Sequence, residues 1–218
     1  MRAPNPPKHF WVAHVVRATL GALLLALFRV TIVGRENLPA TGGFVLAGNH
    51  VSYGDPVLIW CAVPRPAHFM ARSSLWKHAF LGWCLDRFWA FPVERGTADR
   101  AALTKANNIL LSGEPVGIFP KGTRNVSGEP IEPQDGAAFI ASRAGVPLVP
   151  VGISGTGKIR PKGSRRIHFP RCTIAVGEPV LASDFEGLGR KETVAAMTAE
   201  VMRRIDALVV HAEEVRPS

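Results

Sequence analysis

Apolar positions along this chain alternate between two periods. Short apolar runs bounded by Gly, Pro or polar residues read as strands at Val30–Val33, Phe44–Ala47, His68–Ala71, Ala90–Val93, 116–119, Leu148–Ile153 and Ile167–Val176. Segments with helical character stand between them at Pro56–Ala62, Leu75–Arg87, Asp99–Leu111 and Gly136–Ala144. Near the end, Val194, Met197, Val201, Ile205 and Leu208 fall at helical spacing, which predicts an amphipathic helix over 191–210. Strands alternating with helices define an α/β architecture, a single domain with a mixed, mostly parallel sheet flanked by helices. A chain of 218 residues can bury a proper core as one such domain, and it shows no repeats and no long linker.

The N-terminal segment has a different pattern. Trp11, Val12, Val15, Val16, Leu20, Leu23, Leu24 and Leu27 recur at helical spacing, flanked by Phe10, Phe28 and arginines. The longest uncharged stretch, Ala18–Phe28, has 11 residues, against about 20 for a membrane span. Extending it backwards would bury Arg17 at about 2.5–3.5 kcal/mol. The pattern predicts a helix lying in a membrane interface, the alternative being a helix packed on its own domain. The expected organisation is an N-terminal interface helix in 1–29 and the folded domain in 30–218. No A-x-A-like cleavage site follows the apolar part, which argues against a signal peptide.

Charge narrows the partners. The formal net charge is +9 with 47% hydrophobic residues, so a polyanion or a lipid surface is expected to meet this protein. Residues 1–35 hold Arg2, Lys8, Arg17, Arg29 and Arg35 and no acid. Between Asp135 and Glu178 stand Arg143, Lys158, Arg160, Lys162, Arg165, Arg166 and Arg171, again without an acid. Basic side chains near an anionic leaflet are worth about 1 kcal/mol each, although solvated basic loops would look the same. Aromatic residues do not interleave with these cations in a nucleic-acid-reading pattern, so nucleic acid is not the expected partner.

Two blocks carry candidate chemistry. In Asn49-His50-Val51-Ser52-Tyr53-Gly54-Asp55-Pro56 a histidine precedes a carboxylate by five positions. Imidazole titrates nearest neutrality and suits general-base work on a hydroxyl, provided a carboxylate fixes its tautomer and orientation. Mid-helix, the two would point about 140° apart. They meet if His50 ends a strand or loop and Asp55 opens the next helix, where Pro56 is favoured. The plainer alternative is a loop histidine beside an N-capping Asp. The second block, Phe119-Pro120-Lys121-Gly122-Thr123-Arg124-Asn125, follows the apolar run Val116–Ile118. Gly122 can turn backbone amides towards an anion, and Arg124 can fork onto phosphate oxygens. A solvated surface turn is the alternative.

With Phe91-Pro92-Val93-Glu94-Arg95-Gly96 and Val149-Pro150-Val151, these blocks stand in the order found in a known family. The chain resembles the glycerolipid acyltransferases typified by bacterial 1-acyl-glycerol-3-phosphate acyltransferase, over roughly residues 30–180. The resemblance implies transfer of a fatty acyl group from acyl-CoA or acyl-carrier protein to the hydroxyl of 1-acyl-glycerol-3-phosphate, giving phosphatidic acid. His50 would be the base and Asp55 its orienting partner. Gly122, Thr123 and Arg124 match the acceptor-phosphate motif, with Arg95 and Arg72 adding positive charge. Acyl donor and lysolipid are substrates, and no other cofactor and no metal are implied. Two departures stand out: Lys121 replaces the family's Glu, and Gln134-Asp135 stand where relatives are usually basic. An acyltransferase acting on another lysolipid or an amine-bearing acceptor, and a catalytically silent lipid-binding member, are the alternatives.

Other patterns are decoys. Gly152–Lys158 fits a phosphate-binding loop, but Ile159 cannot ligate magnesium and Pro161 blocks the required helix. No G-x-S-x-G elbow makes Ser52 a nucleophile. Cys61, Cys84 and Cys172 are widely spaced and odd in number, so neither zinc nor disulfides are indicated. A reducing location follows, and with it a peripheral or monotopic place on the cytoplasmic face of the cell membrane.

Overall fold

The computed structural model describes residues 10–94, 99–125, 130–161, 163–164 and 166–217, with side chains in the first helix described from Arg17 onwards. Arg2, Lys8, Arg95, Gly96, Lys162 and Arg165 lie outside the described residues, as do the side chains of Phe10, Trp11, Val12, Val15 and Val16.

Among the described residues, seven strands form one sheet: β1 (Thr31–Val33), β2 (Val45–Gly48), β3 (His68–Arg72), β4 (Phe91–Val93), β5 (Val116–Ile118), β6 (Leu148–Ser154) and β7 (Thr173–Val176). Their order is β1-β7-β6-β2-β5-β3-β4. The β6–β7 pair is antiparallel and every other pair parallel, so the sheet is mixed and mostly parallel, as the alternating pattern predicts.

Successive strand residues point to opposite faces, and both faces are covered. Phe44 and Leu46 join Trp60, Phe69, Val151 and Ile153 on one side. That side carries α1 (Phe10–Leu27) and α2 (Asp55–Ala62). Val45 and Ala47 join Ala106, Leu110, Ile140 and Met197 on the other, beneath α4 (Arg100–Leu111), α5 (Gly136–Ala144) and α6 (Arg190–Glu214). Buried parallel strands need helices on both faces, which is why this chain alternates elements so regularly.

Two expected elements end differently. The segment 75–87 is not one helix: a 3-10 turn at Ser73–Lys77 is followed by extended His78 and then α3 (Ala79–Arg87). The Trp76 indole donates to Asp86 Oδ1 at 2.9 Å, folding the turn back along the helix it would otherwise continue. The last strand starts at Thr173, because residues 167–172 leave the sheet to pass Phe28, whose ring meets Phe169 at 5.5 Å.

The first helix packs by one face on α2. Gly21 and Phe28 are buried there, whereas Leu23 is 62% exposed, with Leu20 and Leu27 beside it also facing outwards. Arg17 turns inwards and caps the end of α2. Its Nε donates to Trp60 O at 3.1 Å, its other nitrogens reach Val63 O and Pro64 O, and its guanidinium lies over the Trp60 ring. The charge that argued against a span thus satisfies helix-terminal carbonyls. No described helix is long and apolar enough to cross a membrane.

Candidate active site

β2 delivers Asn49 and His50 beyond its last residue, and the turn 51–54 leads directly into α2. Asp55 opens that helix and is fully buried. Its Oδ2 accepts from the backbone N–H of Val51 at 2.7 Å and of Ser52 at 2.8 Å, and lies 2.8 Å from His50 Nδ1. A carboxylate can only accept, so Nδ1 is the donor and Nε2 keeps the lone pair. This is the strand-end and helix-start geometry that five-residue spacing requires. His50, only 13% exposed at its side chain, lines a cleft of about 1810 Å³.

Two further contacts fix the histidine's place, one on the ring itself and one on the strand that carries it. Phe119 stacks on it at 4.1 Å with a 13° tilt, backed in turn by Phe69. The Asn49 side chain pairs with both backbone groups of Ile153, donating to its carbonyl at 2.9 Å and accepting from its N–H at 2.8 Å, which pins β2 to β6 beside the histidine. Parallel pairing of β2 with β5 explains the first contact, since it carries the end of β5 next to the end of β2.

The loop after β5 folds over this dyad, with Asn125 N–H donating to His50 O at 2.8 Å. Gly122 has φ +63, the left-handed conformation its motif position calls for. Its amide, however, donates to Phe119 O and that of Thr123 to Lys121 O, both at 2.8 Å. Both amides are taken up inside the turn, which leaves the side chains as the groups able to meet an anion. Lys121 and Arg124 line the cleft with Arg72, and among the described residues no carboxylate pairs with them. Arg95 is outside the described residues.

Arg124 has a partner that sequence reasoning passed over. Its guanidinium lies 3.6 Å from the Tyr53 ring centroid, and one nitrogen donates to the Tyr53 hydroxyl at 2.9 Å. Tyr53 is the chain's only tyrosine and stands between His50 and Asp55, which is the signal that could have found it. Part of the cleft lining is apolar: Val57 and Trp60 from α2 and Leu81, Leu85 and Phe88 around α3, with Trp60 and Phe88 meeting edge-on at 5.0 Å. One cavity is thus lined by the histidine of the His50–Asp55 pair, by cations and by apolar side chains.

A buried histidine–carboxylate pair at the end of a parallel strand, beside a cationic turn from its neighbour strand, is an arrangement that can support group transfer. The chain belongs to the Acyltransferase family, which matches residues 29–154 and so both blocks. It is an acyltransferase enzyme. The 1-acyl-sn-glycerol-3-phosphate acyltransferase of Bacillus subtilis (strain 168) is 34% identical over 180 residues, covering 82% of this chain and 87% of that protein. A Chlamydomonas reinhardtii protein of the same designation is 33% identical over 155 residues, and the chain spans 46% of its length. The crystal structure of the 1-acyl-sn-glycerophosphate acyltransferase from Thermotoga maritima shares the fold, with a TM-score of 0.65 at 23% identity over 92% of this chain and 94% of that one.

Proposed function

We propose that this enzyme acylates 1-acyl-glycerol-3-phosphate at a membrane surface, taking a fatty acyl group from acyl-CoA or acyl-carrier protein and releasing phosphatidic acid. The observation that carries the reading is the convergence of the His50–Asp55 pair, the Lys121–Arg124 rim and the apolar wall in one cleft. His50 Nε2 takes the proton of the acceptor hydroxyl as that oxygen attacks the thioester carbonyl. The carbon–sulfur bond breaks, and the departing thiolate receives the proton from the imidazolium. Asp55 keeps the ring in one tautomer and balances its transient charge. A thioester is already activated, so no acyl-enzyme intermediate is required. The anionic head group would lie against Arg124, Lys121 and Arg72, and the acyl chains along Val57, Trp60 and Leu85. The exposed leucine edge of α1 supports a peripheral attachment that brings this cleft to its lipid.

Lys121 favours a second reading, in which the acceptor is another lysolipid. Thioester release measured with lysophosphatidic acid and with neutral and zwitterionic lysolipids separates the two. Lysophosphatidic acid is expected to give the highest kcat/KM, and Arg124→Ala to raise its KM on the order of tenfold or more. If Lys121→Glu instead creates lysophosphatidic acid activity that the parent lacks, the second reading holds. If no acceptor stimulates thioester release, the protein is a silent lipid binder.

A further inference from the structure

The basic segment between β6 and β7 has no part in the site described above. It folds as a closed loop whose neck is drawn together by His168 N–H donating to Ile159 O at 2.8 Å. Inside it, Arg160 Nε donates to Ser164 O at 3.1 Å and Arg166 N–H to Ser164 Oγ at 3.1 Å, so the loop is supported by its own polar groups. Two large apolar side chains are nevertheless open to solvent: Ile167 is 63% exposed, and Phe169, with one side on Phe28, is 48% exposed. Around them Lys158, Arg160, Arg166 and Arg171 are exposed, and among the described residues none pairs with a carboxylate. Between Lys158, Pro161, His168, Phe169 and Pro170 lies an open notch of about 420 Å³.

Position adds to composition. Phe169 meets Phe28, the residue that follows α1, so the loop lies beside the end of the helix that carries the exposed leucines. At its other end Ile159 lies against the catalytic turn so closely that a Cβ on Gly54 would come within 2.8 Å of its Cδ1. The loop therefore bridges the apolar edge of α1 and the turn that joins His50 to Asp55.

We infer that the loop from Lys158 to Arg171 is a second docking element that seats on an anionic lipid surface, with Ile167 and Phe169 entering the interface and the flanking cations meeting lipid phosphates. Exposed aliphatic and aromatic side chains ringed by unpaired cations suit that partner: the apolar atoms leave water while the charges remain among head groups. With α1 as the first contact, the loop supplies a second, which sets the orientation of the cleft towards the bilayer. The inference rests on the membrane-surface reading above and adds the lipid charge it requires.

Sedimentation of the full chain with vesicles of phosphatidylcholine alone, or with phosphatidylglycerol added, tests it. Arg160→Ala/Arg166→Ala is expected to lower partitioning onto anionic vesicles on the order of tenfold and to leave neutral vesicles unchanged. Ile167→Ser/Phe169→Ser should lower binding to both. Transfer to a short-chain acceptor free of vesicles should match the parent in either variant. Parental binding to anionic vesicles by both variants would overturn the proposal. So would an equal loss by the arginine variant on neutral and anionic vesicles, which reports general damage to the fold. If the parent releases no thioester but the arginine variant still loses its anionic preference, docking stands and the catalytic reading falls.

Discussion

Asp55 and Phe119 touch the imidazole of His50, Asn49 and Tyr53 act around it, and the four differ in how far they can be read from the chain. Asp55 is legible because its spacing and Pro56 demand a helix start. Phe119 and Asn49 act through strand neighbours, and no local pattern announces that β2 lies between β5 and β6. Tyr53 acts one step further out, by stacking beneath Arg124. Arginine–aromatic contacts are worth about 0.5–1 kcal/mol at exposed sites, and a hydrogen bond adds about 0.5–1.5 kcal/mol. Tyr53→Ala is therefore expected to raise the acceptor KM about 5- to 70-fold while kcat stays within about twofold, a difference measured by steady-state kinetics with lysophosphatidic acid. Tyr53→Phe keeps the ring but not the hydroxyl and should recover only part of that loss. Equal falls in kcat and kcat/KM would instead mean that Tyr53 acts on the dyad. Gly122 carries the opposite lesson. Its left-handed conformation was readable, but its amide turns to Phe119 rather than to a ligand.

Among the elements, those with long matching patterns were readable nearly to the residue: Gly136–Ala144 is α5 as expected, and Asp99 caps α4 by accepting from Ala102 N–H at 2.9 Å. Boundaries failed where a tertiary contact overrode periodicity, as at Trp76 and at Phe169. β3 adds a testable feature. His68 is half-buried there, stacked with Trp89 at 5.8 Å. Burial, and secondarily the charge of Lys105, push its pKa down from 6.5 to about 4, against a smaller upward pull from a hydrogen bond to the Trp89 backbone. The unfolded chain therefore binds this proton more readily than the folded one. Its contribution to stability is complete above about pH 6.5 and declines as pH falls towards 4. Urea midpoints should fall across that window, and His68→Phe should remove much of the slope. An unchanged slope in the variant would show that other groups govern it.

At the scale of the whole molecule, the three-layer arrangement explains why the two sequence blocks form one site. β2 and β5 are parallel neighbours, so their C-terminal ends place His50 and the Lys121–Arg124 turn side by side. Helices on the two faces then wall the cleft. The apolar wall was the least legible part, because α2 and α3 contribute Trp60 and Leu85 from segments whose composition reads equally well as core. The N-terminal helix packs on the domain through Gly21 and leaves Leu23 exposed. All of this architecture serves one claim, that His50 removes the acceptor's proton in a cleft built for a lipid. Thioester release with lysophosphatidic acid as acceptor, measured for the parent, His50→Ala and Asp55→Asn, tests it most directly. Circular dichroism and vesicle binding should be unchanged in both variants. The account predicts a loss of about 10²–10⁴-fold in His50→Ala and nearly as much in Asp55→Asn. More than about a tenth of parental turnover in a folded His50→Ala protein would contradict it.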